Sequence, residues 1–253
     1  MTVKFGVLGA GRIGQVHAKA IASVPGATLV AVADPVEAAA QTVSKQYGCD
    51  IRTIDTIRTA DDIDAVIICT PTNTHADLIE DFIKAGKAVF CEKPVAVDAP
   101  GVRSVLETTA LAKEKDLSIV SGLCWRYDQG VRETIKRIQD GAIGDVTSMQ
   151  ENYLTGVLWH RGDKPEWSEM EYQFRNWYHF SWLSGDDIPQ SLVHNLDSAL
   201  WALHIYSTLS AIKSREGSEY NIPSCPIAIP SSIAMVLNSA AKKPCFSISP
   251  LIY

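Results

Sequence analysis

The sequence predicts an α/β chain: a doubly wound parallel sheet of the Rossmann type, followed by a smaller, incomplete α/β open-sheet part. Three observations predict it. An apolar run from Val3 to Leu8 ends in Gly9, Gly11 and Gly14 and passes into a helical pattern. Strand-like and helix-like stretches then alternate as far as Gly122, the order that builds βαβ units. The strands at Ala65–Cys69 and Ala88–Cys91 are continuously apolar rather than alternating, which is the pattern of strands covered on both faces.

The first unit is strand, tight turn and helix. Gly9 allows the turn, Gly11 lets the backbone approach a pyrophosphate, and Gly14 lets helix and strand pack closely. The helix start, with Arg12 and Ile13, offers backbone amides to phosphate oxygens. A second strand, Thr28–Ala33, ends in Asp34, about 20 residues past the last glycine, where a ribose-binding carboxylate is expected. The alternative is an ordinary glycine turn with Asp34 capping the next helix. A carboxylate accepts hydrogen bonds from a ribose 2′-hydroxyl and repels a 2′-phosphate, and Pro35, Val36 and Glu37 bring no cation. The expected cofactor is therefore NAD rather than NADP.

A helix is predicted from Val36 to Tyr47, stopped by Gly48, then the strand Ala65–Cys69. Thr70-Pro71-Thr72-Asn73-Thr74-His75 turns into a helix over Ala76–Ala85. The strand Ala88–Cys91 leads into Glu92-Lys93-Pro94, a helix over Pro100–Lys115, and a strand over Leu117–Gly122. The character then changes, for all six tryptophans lie beyond Gly122. A helix is expected over Gln129–Asp140, a long strand over Val146–Val157 opening a second sheet, and an amphipathic helix over Gln190–His204. From Ile205 the periodicity is lost among serines and prolines. A truncated or out-of-frame ending and a genuine irregular tail both fit that composition. The expected division is 1–122 for dinucleotide binding, 123–204 for substrate and oligomerisation, and 205–253 as the tail.

A net charge of −6 gives no reason to propose nucleic acid or an acidic membrane surface as partner. No apolar run reaches the ~18 residues that span a bilayer. The chain starts on its first strand without a cleavable signal pattern, and its cysteines show no metal spacing, so no metal is expected. A reducing cytoplasm is the expected setting.

In an open α/β sheet, ligands bind outside the carboxyl ends of the strands. The residues expected there to hold the cofactor are Gly9, Gly11, Arg12, Ile13, Gly14, Asp34, Thr70, Pro71, Asn73, His75, Glu92 and Lys93. His75 is expected to line the nicotinamide cleft. Lys93 could steady a developing alkoxide, with burial lowering its pKa; the alternative is an exposed lysine paired with Glu92. A second group gathers on the later helix. Gln190 and His194 are four residues apart and share a face, and His194 and Asp197 are three apart. A histidine oriented by such a neighbour is a general acid/base, whereas a packed histidine on an amphipathic helix is the commoner arrangement.

Gly9-Ala10-Gly11-Arg12-Ile13-Gly14, Ala33-Asp34, Cys69-Thr70-Pro71-Thr72-Asn73-Thr74-His75 and Cys91-Glu92-Lys93-Pro94 together resemble the nucleotide domain of the Gfo/Idh/MocA oxidoreductases. The resemblance covers about residues 1–125 and is strongest to the family's inositol 2-dehydrogenase branch. Val95 to Leu203, with Trp182-Leu183-Ser184-Gly185-Asp186, Gln190 and His194-Asn195-Leu196-Asp197, is more similar to another branch. The resemblance implies NAD-dependent oxidation of a secondary hydroxyl of a cyclic polyol or sugar. Lys93 and His194 would flank the reacting hydroxyl, with Gln190 positioning His194 and Arg126, Asn195 and Asp197 contacting substrate. Gln190 stands where the family has an acid, and the arginine usual near Trp125 is missing. The family also implies a homo-oligomer paired through the second sheet. The rival expectations are a sugar hydrolase or lyase that keeps NAD as a redox helper, and a truncated, non-catalytic NAD-binding chain.

Overall fold

The computed structural model describes residues 2–203. Six strands, β1 (Val3–Leu8), β2 (Ala27–Ala33), β3 (Asp50–Ile51), β4 (Ala65–Ile68), β5 (Ala88–Cys91) and β6 (Ile119–Ser121), form one parallel sheet in the order β3-β2-β1-β4-β5-β6. The chain builds outward from β1 through β2 to β3, then returns to the other side of β1 for β4, β5 and β6. This reversal puts the topological switch point between β1 and β4, where the carboxyl ends of an open sheet leave a crevice.

The period-two side-chain alternation of a strand explains the continuous apolar runs. Leu8, Val66, Ile68 and Val89 point into one core, with Ile79, Phe82 and Ile83 of α4 (His75–Lys84) and Val105 of α5 (Ala99–Glu114). Phe5, Val7, Val32 and Ile67 point into the other, with Ala18 and Ile21 of α1 (Arg12–Ser23) and Ala40 and Val43 of α2 (Glu37–Tyr47). Each fully buried large aliphatic contributes about 1.5–3 kcal/mol, so both faces are strongly committed to their helices.

Two elements carry little sequence signal. β3 is a two-residue, exposed edge strand, and α3 (Ile54–Thr59) is a single short helix whose start is capped by Thr53 Oγ1 accepting from the Thr56 amide at 3.1 Å. Past Gly122 the described elements are α6 (Gln129–Gln139), α7 (Glu169–Arg175), α8 (Ser181–Ser184) and α9 (Val193–Ala202), with 3₁₀ turns at Cys124–Tyr127 and Trp177–His179 and a π turn at Ile188–Leu192. The strand expected over Val146–Val157 is not formed, and residues 146–164 hold no strand or helix. No described strand lies alongside to take its amides and carbonyls, and Leu154 and Val157 stand fully in solvent. Side chains fasten that segment instead: Asn195 Nδ2 donates to Asn152 O at 2.7 Å, and the Arg161 amide donates to Asn176 Oδ1 at 2.7 Å. Without that strand, the second sheet expected to carry oligomer contacts is missing among the described residues. The irregular tail lies outside them.

The later part is tied to the sheet edge by buried polar contacts. Thr72 Oγ1 donates to Leu183 O at 2.8 Å, and Gln190 Nε2 donates to Thr72 Oγ1 at 3.1 Å and to Ser184 O at 2.7 Å. No described helix is long and apolar enough to cross a membrane.

Candidate active site

The glycine turn sits at the crevice and its three glycines have separate physical causes. Gly9 adopts φ +95°, and a Cβ there would lie 2.6 Å from Cys69 O. A Cβ on Gly14 would lie 1.8 Å from Gly9 O, so helix and turn touch through backbone alone. At Gly11 no protein atom lies within 4 Å of a Cβ position, so this face of the turn is open. No side chain caps α1 at Gly11, which leaves the positive end of the helix dipole, at Arg12 and Ile13, facing the same space.

Asp34 stands at the end of β2. Its Oδ2 accepts from the Ala10 amide at 2.6 Å and its Oδ1 from the Val36 amide at 2.7 Å. It thus braces both the glycine turn and the start of α2. A carboxylate oxygen accepts two hydrogen bonds, so each keeps acceptor capacity for a ribose hydroxyl. These features fit a dinucleotide: bare amides for the pyrophosphate, an acid for the ribose, and no cation at Pro35 to Glu37 for a 2′-phosphate.

The β4 loop lies beside it. Thr70 Oγ1 and Thr74 Oγ1 are 2.7 Å apart, Pro71 is exposed, and Asn73 Oδ1 is buried with no hydrogen-bond partner among the described residues. His75, expected in the cleft, is only 1% exposed. Its ring bridges two loops, Nδ1 facing Pro94 O at 2.7 Å and Nε2 facing Thr70 O at 2.8 Å. It is a strut between strand ends rather than a wall of the cleft, and burial lowers its pKa.

Glu92 is engaged by a residue the sequence reading missed. Glu92 Oε1 lies 2.7 Å from Nε2 of His17 on α1, and Glu92 Oε2 accepts from the Lys93 amide at 3.3 Å. The available signal was position: His17 follows Gly14 by one helical turn. Lys93 precedes a cis peptide bond to Pro94. Its ammonium is not paired with Glu92 through a hydrogen bond; it donates to the carbonyl of Gln190. Burial lowers the Lys93 pKa, against the opposing pull of Glu92 and then Cys124.

His194 comes to the same place from α9. It is 9% exposed, and its pKa is pushed down to about 4, first by burial and then by the Lys93 charge. Its ring stacks on Trp125 (centroids 5.4 Å apart, planes at 21°) and on Tyr153 (6.5 Å, 27°). The companions expected for it are otherwise engaged. The Gln190 amide is turned to Thr72 and Ser184, because the π turn feeds that side chain into the buried seam under the β4 loop. Asp197 is 3% exposed and receives Arg126 Nε and a terminal guanidinium nitrogen, both at 2.8 Å. Arg126 also lies over Trp201, 5.0 Å from the ring centroid. Arg126 and Asp197 thus hold each other, and Asn195 Nδ2 holds Asn152 O while its Oδ1 is buried with no hydrogen-bond partner among the described residues. Lys93 and His194 are the two groups the fold brings together at the carboxyl edge of the sheet, the edge that also carries the glycine turn.

Residues 3–122 match the model of an oxidoreductase family with an NAD-binding Rossmann fold. Inositol 2-dehydrogenase of Rhizobium meliloti (strain 1021) is 55% identical over 146 residues, 58% of this chain and 43% of that protein. The scyllo-inositol 2-dehydrogenase (NAD(+)) of Bacillus subtilis (strain 168) is 38% identical over 145 residues, 56% of this chain and 42% of that one. The crystal structure of scyllo-inositol dehydrogenase from Lactobacillus casei with bound NAD(H) and scyllo-inositol is 27% identical, with a TM-score of 0.62, covering 80% of this chain and 56% of that one. The chain spans less than half the length of these two curated relatives. Glycine turn, acid, strand order and sequence agree, and residues 3–122 match the Gfo/Idh/MocA family of oxidoreductases.

Proposed function

We propose that the chain is an NAD-dependent dehydrogenase that oxidises a secondary hydroxyl of a cyclic polyol of the inositol type. The observation that carries the proposal is the meeting of the buried Lys93 ammonium with the turn that leads into the helix of His194, on the same carboxyl edge of the sheet as the open glycine turn. The relatives that act on inositols support the substrate class.

The residues that would hold the cofactor are Gly9, Gly11, Gly14 and the first amides of α1 for the pyrophosphate, Asp34 for the ribose, and the Thr70–Asn73 loop with Glu92 and Lys93 for the rest. When bound, NAD supplies the hydride acceptor. His194, with a pKa of about 4, is neutral at pH 7 and takes the hydroxyl proton. Lys93 keeps donors beyond the one given to Gln190 O, and donates to the substrate oxygen as its negative charge grows. The Lys93 charge disfavours an imidazolium beside it, so His194 gives the proton up to water when the site opens to solvent on product release.

Inositols and sugars offered with NAD, followed by NADH absorbance, test the proposal. Turnover is expected with at least one cyclic polyol. Lys93→Ala should cut it about 100-fold or more while calorimetry still shows NAD bound. Binding of NAD without turnover anywhere in the panel would sink the dehydrogenase reading.

A further inference from the structure

His194 is placed to move a proton, yet no hydrogen bond holds its ring from behind. Nδ1 is buried without a hydrogen-bond partner among the described residues. Gln190, one turn earlier, is bound to Thr72 and Ser184, and Asp197, one turn later, is bound to Arg126. A histidine that works as an acid/base needs its ring orientation fixed by something. The contacts that remain are aromatic. Trp125 arrives from the 3₁₀ turn after β6, and Tyr153 arrives from the irregular segment; each stacks nearly parallel to the imidazole. The Asn195–Asn152 hydrogen bond fastens the residue after His194 to the residue before Tyr153, so the Tyr153 ring is delivered by a fixed backbone contact.

We propose that Trp125 and Tyr153 are positioning residues, a pair of rings that fixes the tilt of the His194 imidazole and keeps water from it, in place of a hydrogen-bonding carboxylate. The inference rests on His194 being the proton acceptor of the proposed dehydrogenase. The two kinds of support have opposite electrostatic consequences. A carboxylate holds the ring and favours the imidazolium; an aromatic stack holds the ring and desolvates it, which favours the neutral form. The ionisable groups facing His194 are Lys93, which opposes its protonation, and Glu92 and Asp197, which favour it. The 3₁₀ turn adds Arg126, which is committed to Asp197, and α6 carries Arg132, Glu133 and Lys136 along an open groove beside Trp201. Covering by the rings therefore works with Lys93 and against the two acids.

The test is a pH titration of the histidine ring signals of the full chain by NMR, without cofactor or substrate, with His194→Gln assigning the resonance. In the unsubstituted protein His194 should titrate near the value of about 4. Trp125→Ala should raise it by about one unit or more, toward the ordinary 6.5, because water reaches the ring. Trp125→Phe should hold it near the starting value, and Tyr153→Ala should give a smaller rise, its ring being farther away. The His75 signal, from the strut at the sheet edge, should not move and reports an intact fold. An unchanged or lowered His194 pKa in Trp125→Ala, with His75 unmoved, would overturn the proposal; a lowered one would mean that indole attraction for the imidazolium outweighs its covering effect. Should Trp125→Ala fail to fold, an unshifted Tyr153→Ala overturns it equally. Because the titration needs no turnover, a failed dehydrogenase assay and a failed clamp give different results. Where turnover is present, Trp125→Ala should lower kcat more than it raises KM and move the acidic limb of the pH profile upward, with Trp125→Phe restoring both.

Discussion

The two halves of the described chain bury different chemistry. Up to Gly122 the interior is apolar and two-sided, with one core on each face of the sheet. Among the described residues past Gly122, the buried apolar residues are Ile135, Leu183 and Ala202, while Asn176, Ser184, Gln190, Ser191, His194 and Asp197 are buried polar ones. The first half is held by area removed from water. The second is held by named hydrogen bonds, each with a net contribution of about 1 kcal/mol, and by docking on the first. A part built that way depends on its template, and two of the residues it buries meet Lys93, Gln190 through its carbonyl and His194 through the Lys93 charge that lowers its pKa.

The comparison can be broken most severely at the glycine turn. Gly14→Val would push a side chain into Gly9 O, and we expect a loss of about 3 kcal/mol or more, enough to abolish cooperative melting. Gly11→Ala, with nothing near its Cβ position, should change the melting by less than about 0.5 kcal/mol. Paired thermal melts by circular dichroism check both; a Gly14→Val protein that melts like the parent would contradict the packing described.

Acid acts next, mainly on the second half. The folded-state pKa of His194, about 4, lies below its ordinary 6.5, and that of His75 is also lowered. The unfolded chain therefore binds more protons between those values. The contribution of His194 to stability falls as pH drops from 6.5 through 4 and levels off below, by up to about 3 kcal/mol. Urea melts across that range should show the slope, and His194→Gln should remove most of it.

A smaller effect than either separates the halves from each other. Thr72→Val removes the hydroxyl that joins Leu183 O to the Gln190 amide, at a cost of about 1–2 kcal/mol. Hydrogen exchange should quicken in α8 and α9 while β1, β4 and β5 keep their protection. Uniform quickening would show that the two parts unfold as one.

Much of the first half was legible because its signals are local. Continuous apolarity at Ala65–Ile68 and Ala88–Cys91 reports two covered faces, and Gly9, Gly14 and Asp34 each answer a backbone or hydrogen-bond requirement visible from spacing. β3 and α3 were too short to show a period. Past Gly122 the signals mislead, because the apolar residues of 146–157 have no strand to pair with among the described residues. Helical spacing put Gln190 and His194 on one face, but the π turn changes the register and sends the Gln190 amide to Thr72. The sequence singles out His75 and Glu92, yet their partners, Pro94 O and His17, are long-range contacts that no local pattern encodes.

The most direct test of the account is calorimetric titration of the full chain with NAD and with NADP. The open glycine turn and Asp34 predict saturable, single-site uptake of NAD, with NADP weaker by about tenfold or more and with Asp34→Asn reducing that preference. No saturable heat with NAD, or equal affinity for both cofactors that Asp34→Asn leaves unchanged, would contradict it.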